Sequence, residues 1–253
     1  MKLFTFIVCL VLSLGLRMDR LCASEPTEVA RFVDFLLEDT ERFEEVAFAE
    51  VVQAVADCEV LPVDPDHAVD RAMLEAVCEG LDLVMADLQD PEGEVHEIRR
   101  INETSRVIED RLMVALNVVD GLICEIPLNA EGKEQRSGYP DLRLVHEASG
   151  RVFYLDPKVH RAGSEGSSLR TFYFEPQLET NKILDDASHL ILGVSHGGKV
   201  DSHWQFEEWK VVDLLDFKVR LKAEFQASNR DLYRDESILM RSAPSENAQS
   251  GME

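Results

Sequence analysis

The first half of the chain repeats apolar residues every three or four positions. This spacing runs through VARFVDFLL, FEEVAFAEVVQAVA and AVDRAMLEAVCEGLDLVMADL, with acidic side chains on the opposite faces. The segments LPVDPD and QDPEGE contain Pro or Gly and interrupt the pattern. The sequence therefore predicts three helices before Gln89 and a fourth, longer helix from about Val95 to Asn117.

After Asn117 the apolar residues occur in short runs that are separated by turn-forming residues. VVDGLICEIPL, PDLRLVHEA and RVFYLDPKV are typical of strands, and HEASGR predicts a tight reversal that joins the last two as an antiparallel hairpin. TNKILDDASHL has helical spacing, and LILGVSH predicts a buried strand that ends at a Gly-Gly turn. The order of helix, three strands, helix and strand predicts an α/β architecture, with an α+β mixed sheet behind an N-terminal helical region.

The N-terminus has the pattern of a signal peptide or membrane anchor over residues 1–23. A mostly apolar run extends from Leu3 to Leu16 and precedes a small-residue site near Ala23. We expect the protein to be exported if this leader is real, and to be cytoplasmic if translation starts at Met18. No stable membrane domain is expected unless the leader is retained.

Composition divides the remainder into three regions. We expect an acidic helical region at 24–92, a core with a C-terminal elaboration at 93–240, and a disordered tail at 241–253, which is rich in Ser, Asn and Gly. Three cysteines lie beyond the leader. The spacing of Cys58 and Cys78 leaves open either a disulfide in an exported protein or two buried thiols.

Charge is distributed unevenly along the chain. The net charge is −23, and residues 24–100 hold 22 Asp or Glu against 5 Lys or Arg. A negative field repels a phosphate backbone, so charge alone ranks nucleic-acid binding low. A nucleic-acid site would therefore need its own cations or a metal ion.

The predicted hairpin carries an acidic residue at each end. Asp141 opens one strand and Asp156 closes the next, so antiparallel pairing brings their carboxylates to neighbouring positions. Lys158 lies two residues after Asp156 and points to the same face. The carbonyl of Pro157 and the two carboxylates are hard oxygen donors of the kind that magnesium or manganese prefers. A structural alternative is an acidic surface hairpin in which Lys158 forms an ion pair.

These residues resemble the motif of the PD-(D/E)xK nuclease superfamily, which has the restriction-endonuclease-like fold. The resemblance rests on Pro140-Asp141, a spacer and Asp156-Pro157-Lys158, together with the order of elements over residues 95–196. That superfamily also carries an acidic residue on the first core helix. Glu109 occupies this place in RVIEDRLMVAL, at the border of the apolar stripe.

The resemblance implies a Mg²⁺- or Mn²⁺-dependent endonuclease that hydrolyses DNA phosphodiester bonds. It implies that Asp141, Asp156, Pro157 and Glu109 hold the metal, and that Lys158 acts on the attacking water. Asn181 and Lys182, on the second helix of the core, are then the expected phosphate contacts.

Several alternatives stay open. An exported acidic binding or scaffold protein could use the same fold without activity, and a homodimer is compatible with either function. The aromatic residues Phe172–Phe174 fit base stacking or a core position, and the latter is the commoner case. The basic residues of the C-terminal region suit either a phosphate-facing surface or a solvated strand face, namely Lys218, Arg220, Lys222, Arg230 and Arg234.

Overall fold

The computed structural model describes residues 27–39, 43–168 and 171–240 of the chain. The predicted leader and tail lie outside these residues. The described residues fall into two compact units, one spanning Phe43–Arg220 and another that combines residues 27–39 with 221–240. The predicted boundary between residues 92 and 93 stays a prediction.

Helices dominate the first half of the chain, as the apolar spacing predicts. The α-helices of the described residues are α1 (Glu28–Asp39), α2 (Phe48–Ala56), α3 (Ala68–Leu88), α4 (Thr104–Asn117) and α5 (Asn229–Leu232). The three helices expected before Gln89 are confirmed. None of the helices in the described ranges is long and apolar enough to cross a membrane.

The fourth helix starts later than the apolar pattern predicts. Two short 3₁₀ helices, Glu94–Glu97 and Ile101–Glu103, occupy the segment in front of α4. The His96 ring contacts the carbonyl of Asp90 at 3.0 Å and accepts a hydrogen bond from the backbone of Trp204 at 3.0 Å. These tertiary bonds fix the segment in an irregular path, and a continuous helix from Val95 is therefore wrong.

The strands form a five-stranded mixed sheet and a separate pair. Their bounds are β1 (Val46–Ala47), β2 (Leu122–Glu125), β3 (Leu142–His146), β4 (Arg151–Arg161), β5 (Ser188–Val200), β6 (His203–Asp213) and β7 (Lys218–Val219). The large sheet has the order β2-β3-β4-β5-β6, and β1 pairs with β7. Only β4 and β5 pair in parallel within the large sheet. The α/β class with a mixed sheet, consistent with a restriction-endonuclease-like fold, is confirmed.

The helix predicted over residues 180–190 is wrong. Residues 180–187 have no helix, and β5 begins at Ser188. The carboxylate of Asp185 accepts hydrogen bonds from the Arg143 guanidinium and the Tyr154 hydroxyl, and that hydroxyl also accepts a bond from the backbone of Leu184. Because these groups bond to β3 and β4, the segment follows the sheet and does not close helical turns.

The Gly-Gly pair does not end the strand that precedes it. β5 continues through Gly197 and Gly198 to Val200, and the reversal into β6 lies at Asp201 and Ser202, which both have positive φ. Pairing with β6, with register shifts at this point, keeps the glycines within the strand.

Two apolar clusters cover the two sides of the large sheet. α3 and α4 contribute Leu81 and Leu112 to a cluster with Phe153 and Leu155 of β4. The alternate residues Val152 and Tyr154 belong to the other cluster, which we call the aromatic cluster and define by its buried members: Phe48, Val52, Cys58, Tyr139, Val152, Tyr154, Ile183, Ala187 and Leu214. This alternation is the period-two pattern of a strand buried on both faces.

The three residues of the patch Phe172–Phe174 differ in their packing and exposure. The rings of Phe172 and Phe174 meet the Phe48 ring edge-on at 5.4 and 5.9 Å, which confirms the core interpretation for both. Tyr173 is 62% exposed. The cysteines of the described residues, Cys58, Cys78 and Cys124, are free thiols.

A buried ion pair joins the helical half to the sheet. Arg151 Nε donates to Asp70 at 2.8 Å, and its Nη2 donates to Asp70, to the carbonyl of Pro62 and to Ser188 Oγ. Although burial raises the pKa of Asp70, these bonds and the Arg151 charge leave it below its ordinary value. The pair therefore connects α3 to β4, β5 and the Pro-containing segment.

Replacing Asp70 by Ala should destabilise the protein by about 3 kcal/mol, because a largely covered guanidinium would lose its buried carboxylate partner. Urea unfolding of Asp70→Ala measures the loss. Asp66→Ala, at an exposed position of the same segment, is the matched control and should change the free energy of unfolding by no more than about 0.5 kcal/mol. Equal effects of the two substitutions would contradict the role given to the ion pair.

Candidate active site

The hairpin of β3 and β4 positions the two acidic residues. Leu142 pairs with Leu155, so Asp141 and Asp156, the next residues outward, face each other across the strands. Lys158 lies two residues further along β4 and on the same face as Asp156. The sequence-predicted pairing of these residues is therefore present in the fold.

Lys158 lies between the two carboxylates. Its Nζ is 3.5 Å from Asp141 Oδ2 and contacts Asp156 Oδ2. Asp156 is 1% exposed, whereas the Lys158 side chain is only partly covered. The ammonium group thus compensates two acids that would otherwise repel each other in a low-dielectric environment.

The ionisation of this group reflects burial and close charges. Burial and the neighbouring Asp141 raise the pKa of Asp156 well above its usual range, against the opposing effect of Lys158. Burial lowers the pKa of Lys158, but Asp156 and Asp141 raise it by more, so it ends above its ordinary value. Such strongly perturbed groups on one face are typical of a functional site.

Glu109 lies on α4 between the buried residues Ile108 and Leu112. Burial and the charge of Asp141 raise the pKa of Glu109 to about 7, although Arg136 acts in the opposite direction. The effect of Asp141 shows that the helix carboxylate shares the electrostatic environment of the hairpin. Glu109 therefore lies within electrostatic range of Asp141, and its role at a metal ion stays a prediction.

The two predicted phosphate contacts lie on the irregular segment before β5. Lys182 is 1% exposed, and its Nζ donates to the carbonyl of Gln135 at 3.1 Å. Burial lowers its pKa to about 8, against the opposing charges of the three carboxylates. The Asn181 side chain bonds to the backbone of Ile183. Lys182 thus lies within electrostatic range of Asp141, Asp156 and Glu109. Contact with a phosphate stays a prediction for both Asn181 and Lys182.

Arg136 is a site residue that sequence reasoning missed. It lies in the connection between β2 and β3, donates to Asp110 at 2.8 Å and forms an ion pair with Glu109 at 3.7 Å. The same connection supplies the Gln135 carbonyl to Lys182. No periodicity or motif marks this polar stretch, because its position depends on α4 and on the segment before β5.

Tyr139 of the aromatic cluster forms a buried pair with His189. The Tyr139 hydroxyl contacts His189 Nδ1 at 2.7 Å, and the two rings stack with centroids 5.8 Å apart. Burial and the charges of Asp156 and Asp141 raise the pKa of Tyr139. Burial also lowers the pKa of His189 to about 3. The ring of His189 is therefore neutral at physiological pH.

The donor set fits a hard divalent cation by its chemistry. Asp156 Oδ2 is buried and contacts the Lys158 ammonium, and β4 pairs with β3 only as far as Leu155. No group of three or more His, Cys, Asp or Glu side chains in the described ranges is arranged so that it could hold a metal ion. Two facing carboxylates and the Pro157 carbonyl, without a preassembled third carboxylate, are the oxygen donors that magnesium or manganese would meet here.

Comparison with known proteins identifies relatives of the whole compact unit. A model of the type II restriction enzyme MjaV family matches residues 42–236. The type II restriction enzyme MjaV of Methanocaldococcus jannaschii is 29% identical over 206 residues, covering 78% of this chain and 88% of that protein. The match includes α2, α3 and the C-terminal strands, which the motif leaves unexplained. The alternative of an exported binding or scaffold protein finds no support in these similarities.

The neutral His189 should make stability sensitive to acid. Its folded-state pKa lies below the unfolded value of about 6.5, so its contribution is present above pH 6.5 and is lost as the pH falls toward 3. We expect the stability advantage of the wild type over His189→Asn to shrink below pH 6.5, by at most about 1.4 kcal/mol per pH unit.

Urea unfolding between pH 7 and pH 4 measures this dependence. His146→Asn is the control, because His146 lies at the end of β3 and bonds to Ser149 in the exposed turn. Parallel stability curves for the wild type and His189→Asn would show that His189 is not held neutral by burial.

Proposed function

Because the chain belongs to the type II restriction enzyme MjaV family, we propose that it is a metal-dependent endonuclease of the PD-(D/E)xK type that hydrolyses phosphodiester bonds in DNA. The observation that carries this proposal is the position of Lys158 between the carboxylates of Asp141 and Asp156. The relative from Methanocaldococcus jannaschii is named as a type II restriction enzyme, which supports the DNA-cleaving part of this proposal.

In this proposal Asp141, Asp156 and the carbonyl of Pro157 hold Mg²⁺ or Mn²⁺, and Glu109 assists from α4. A bound cation would polarise the phosphodiester and favour ionisation of a water molecule. Burial and, after it, the charge of Asp141 raise the pKa values of Asp156 and Glu109, and a cation would offset the repulsion between these carboxylates.

The lysines have separate roles. Lys158 is partly exposed and directs its ammonium toward both hairpin acids, so it can orient the attacking water by hydrogen bonding. Lys182 is buried, and together with Asn181 it would approach the phosphate only if the bond to Gln135 opened. A homodimer and the choice of recognition sequence stay predictions outside this site.

The net charge of −23 would repel a DNA backbone, and cations at the site would reduce this repulsion locally. Lys158, Lys182 and Arg136 lie among the site carboxylates. Charges at close range act strongly on a bound phosphate, whereas distant surface charges are screened at physiological salt. With a bound metal ion to offset the carboxylates, these cations would let an acidic protein hold a phosphate at this site.

Purified protein should cleave duplex DNA in the presence of Mg²⁺ or Mn²⁺ and should not cleave it in EDTA. Asp156→Ala and Lys158→Ala should each lower the cleavage rate by about 100-fold or more, because the first removes a metal ligand and the second removes the group that orients the attacking water. Gel analysis of plasmid and of mixed genomic fragments measures the rate.

Asp66→Asn and Lys133→Ala alter exposed residues of the same charge types and should cleave like the wild type. Cleavage that survives both site substitutions would exclude the assignment of this site. Circular dichroism of each variant separates lost chemistry from lost folding.

Metal binding gives a readout that is independent of cleavage. Titration calorimetry with Mn²⁺ should show a binding heat for the wild type and at least a tenfold loss of affinity for Asp141→Asn, because a ligand carboxylate becomes an amide. Asp66→Asn should bind Mn²⁺ like the wild type. Equal binding by all three proteins would remove Asp141 from the metal site.

A further inference from the structure

The polar face of β4 continues beyond the candidate active site. Residues at alternate positions share one face of a strand, so Asp156, Lys158 and His160 form a row. His160 lies about 7 Å beyond Lys158, two residues further along the strand. The row therefore extends past the end of the β3–β4 ladder, along the part of β4 that pairs with β5.

A glycine makes room for His160 on the neighbouring strand. Lys158 pairs with Gly193 of β5, and Gly193 pairs in turn with Lys210 of β6. A Cβ atom added to Gly193 would lie 3.7 Å from His160 Cε1. The His160 ring thus covers a position without a side chain, and Lys210 lies on the far side of that gap.

A carboxylate from the loop after β4 connects these two groups. Glu165 Oε1 is 3.3 Å from Lys210 Nζ and 3.7 Å from His160 Nε2. His160 Nε2 is buried and makes no hydrogen bond within the described residues. Glu208, on the same strand as Lys210, contacts the Lys210 ammonium at 2.7 Å.

We propose that His160 and Lys210 form a subsite for a DNA backbone phosphate next to the scissile one, and that Glu165 occupies this subsite in the free protein. The inference rests on the proposed nuclease function. It adds a second phosphate contact along the substrate strand, with the Glu165 carboxylate as an anionic placeholder that DNA displaces.

The chemistry of the cluster supports a phosphate ligand. A ring nitrogen and an ammonium group that converge on one carboxylate oxygen can donate to a phosphate oxygen in the same way. Glu165 is about half exposed and lies on a loop, so it can leave without disturbing the core. Its departure would leave the Lys210 ammonium in contact with Glu208 and with donor capacity for a phosphate oxygen, since an ammonium has three N–H donors.

The test uses binding of a fluorescent duplex that the wild type cleaves, measured in EDTA so that neither metal nor cleavage contributes. Fluorescence anisotropy gives the affinity between 50 and 200 mM salt. The exposed pair Glu131 and Lys133 supplies charge-matched controls, since its members are 2.7 Å apart and Glu131 is 47% exposed against 46% for Glu165.

We expect Glu165→Gln to bind severalfold more tightly than Glu131→Gln, since it removes the competing anion. Lys210→Met should weaken binding and reduce the slope of log affinity against log salt by about 0.9, the value for one lost phosphate contact. His160→Asn should also weaken binding. In the double variant with Lys210→Met, the gain from Glu165→Gln should largely disappear.

Equal affinities of Glu165→Gln and Glu131→Gln would overturn the subsite, and so would an unchanged salt slope for Lys210→Met relative to Lys133→Met. If the wild type still cleaves DNA in either case, only the subsite is excluded and the proposed nuclease function is unaffected. A wild type that neither binds nor cleaves any duplex would overturn the proposed function and the subsite together.

Discussion

The antiparallel register of β3 and β4 fixes the relation between the acids on which the proposed chemistry depends. Because Leu142 pairs with Leu155, the two carboxylates beyond them meet at the end of the shared ladder. Two ionised acids at this separation repel each other, and burial increases the cost. The Lys158 ammonium offsets this repulsion, because its position two residues after Asp156 on β4 directs it to the face of that carboxylate. A shift of one residue in the β3–β4 register would place Asp141 on the face opposite Asp156 and Lys158.

The surrounding structure packs against both faces of this hairpin. α4 covers one side of the sheet and brings Glu109 close to the hairpin, while the aromatic cluster closes the other side around Tyr139 and Tyr154. Buried polar groups are bonded to one another, as in the Arg143–Asp185–Tyr154 network. A polar network of this kind, satisfied by its own members, holds side chains in one arrangement. The site is therefore supported on both faces of the sheet.

The acidic character of the chain has two different consequences. On the exposed faces of the helices it gives a solvated surface, and in the interior it is used in specific contacts such as Asp70 with Arg151. Cations are few, so their positions decide where a polyanion can approach. Lys158 and Lys210 lie on one face of neighbouring strands, and Gly193 leaves room on that face for the His160 ring. Local arrangement thus outweighs net charge in determining the proposed DNA surface.

The sequence by itself determined the elements with strong periodicity and the position of the hairpin acids. Apolar spacing marks α1 to α3, and alternation with a Ser-Gly turn marks β3 and β4, because these signals are local. The tertiary structure alone decided that residues 180–187 run along the sheet, that β5 passes through its glycines, and that Arg136 joins the carboxylates. Those outcomes depend on partners far away in the chain, whose bonds override local helical spacing and bring together residues that no motif connects.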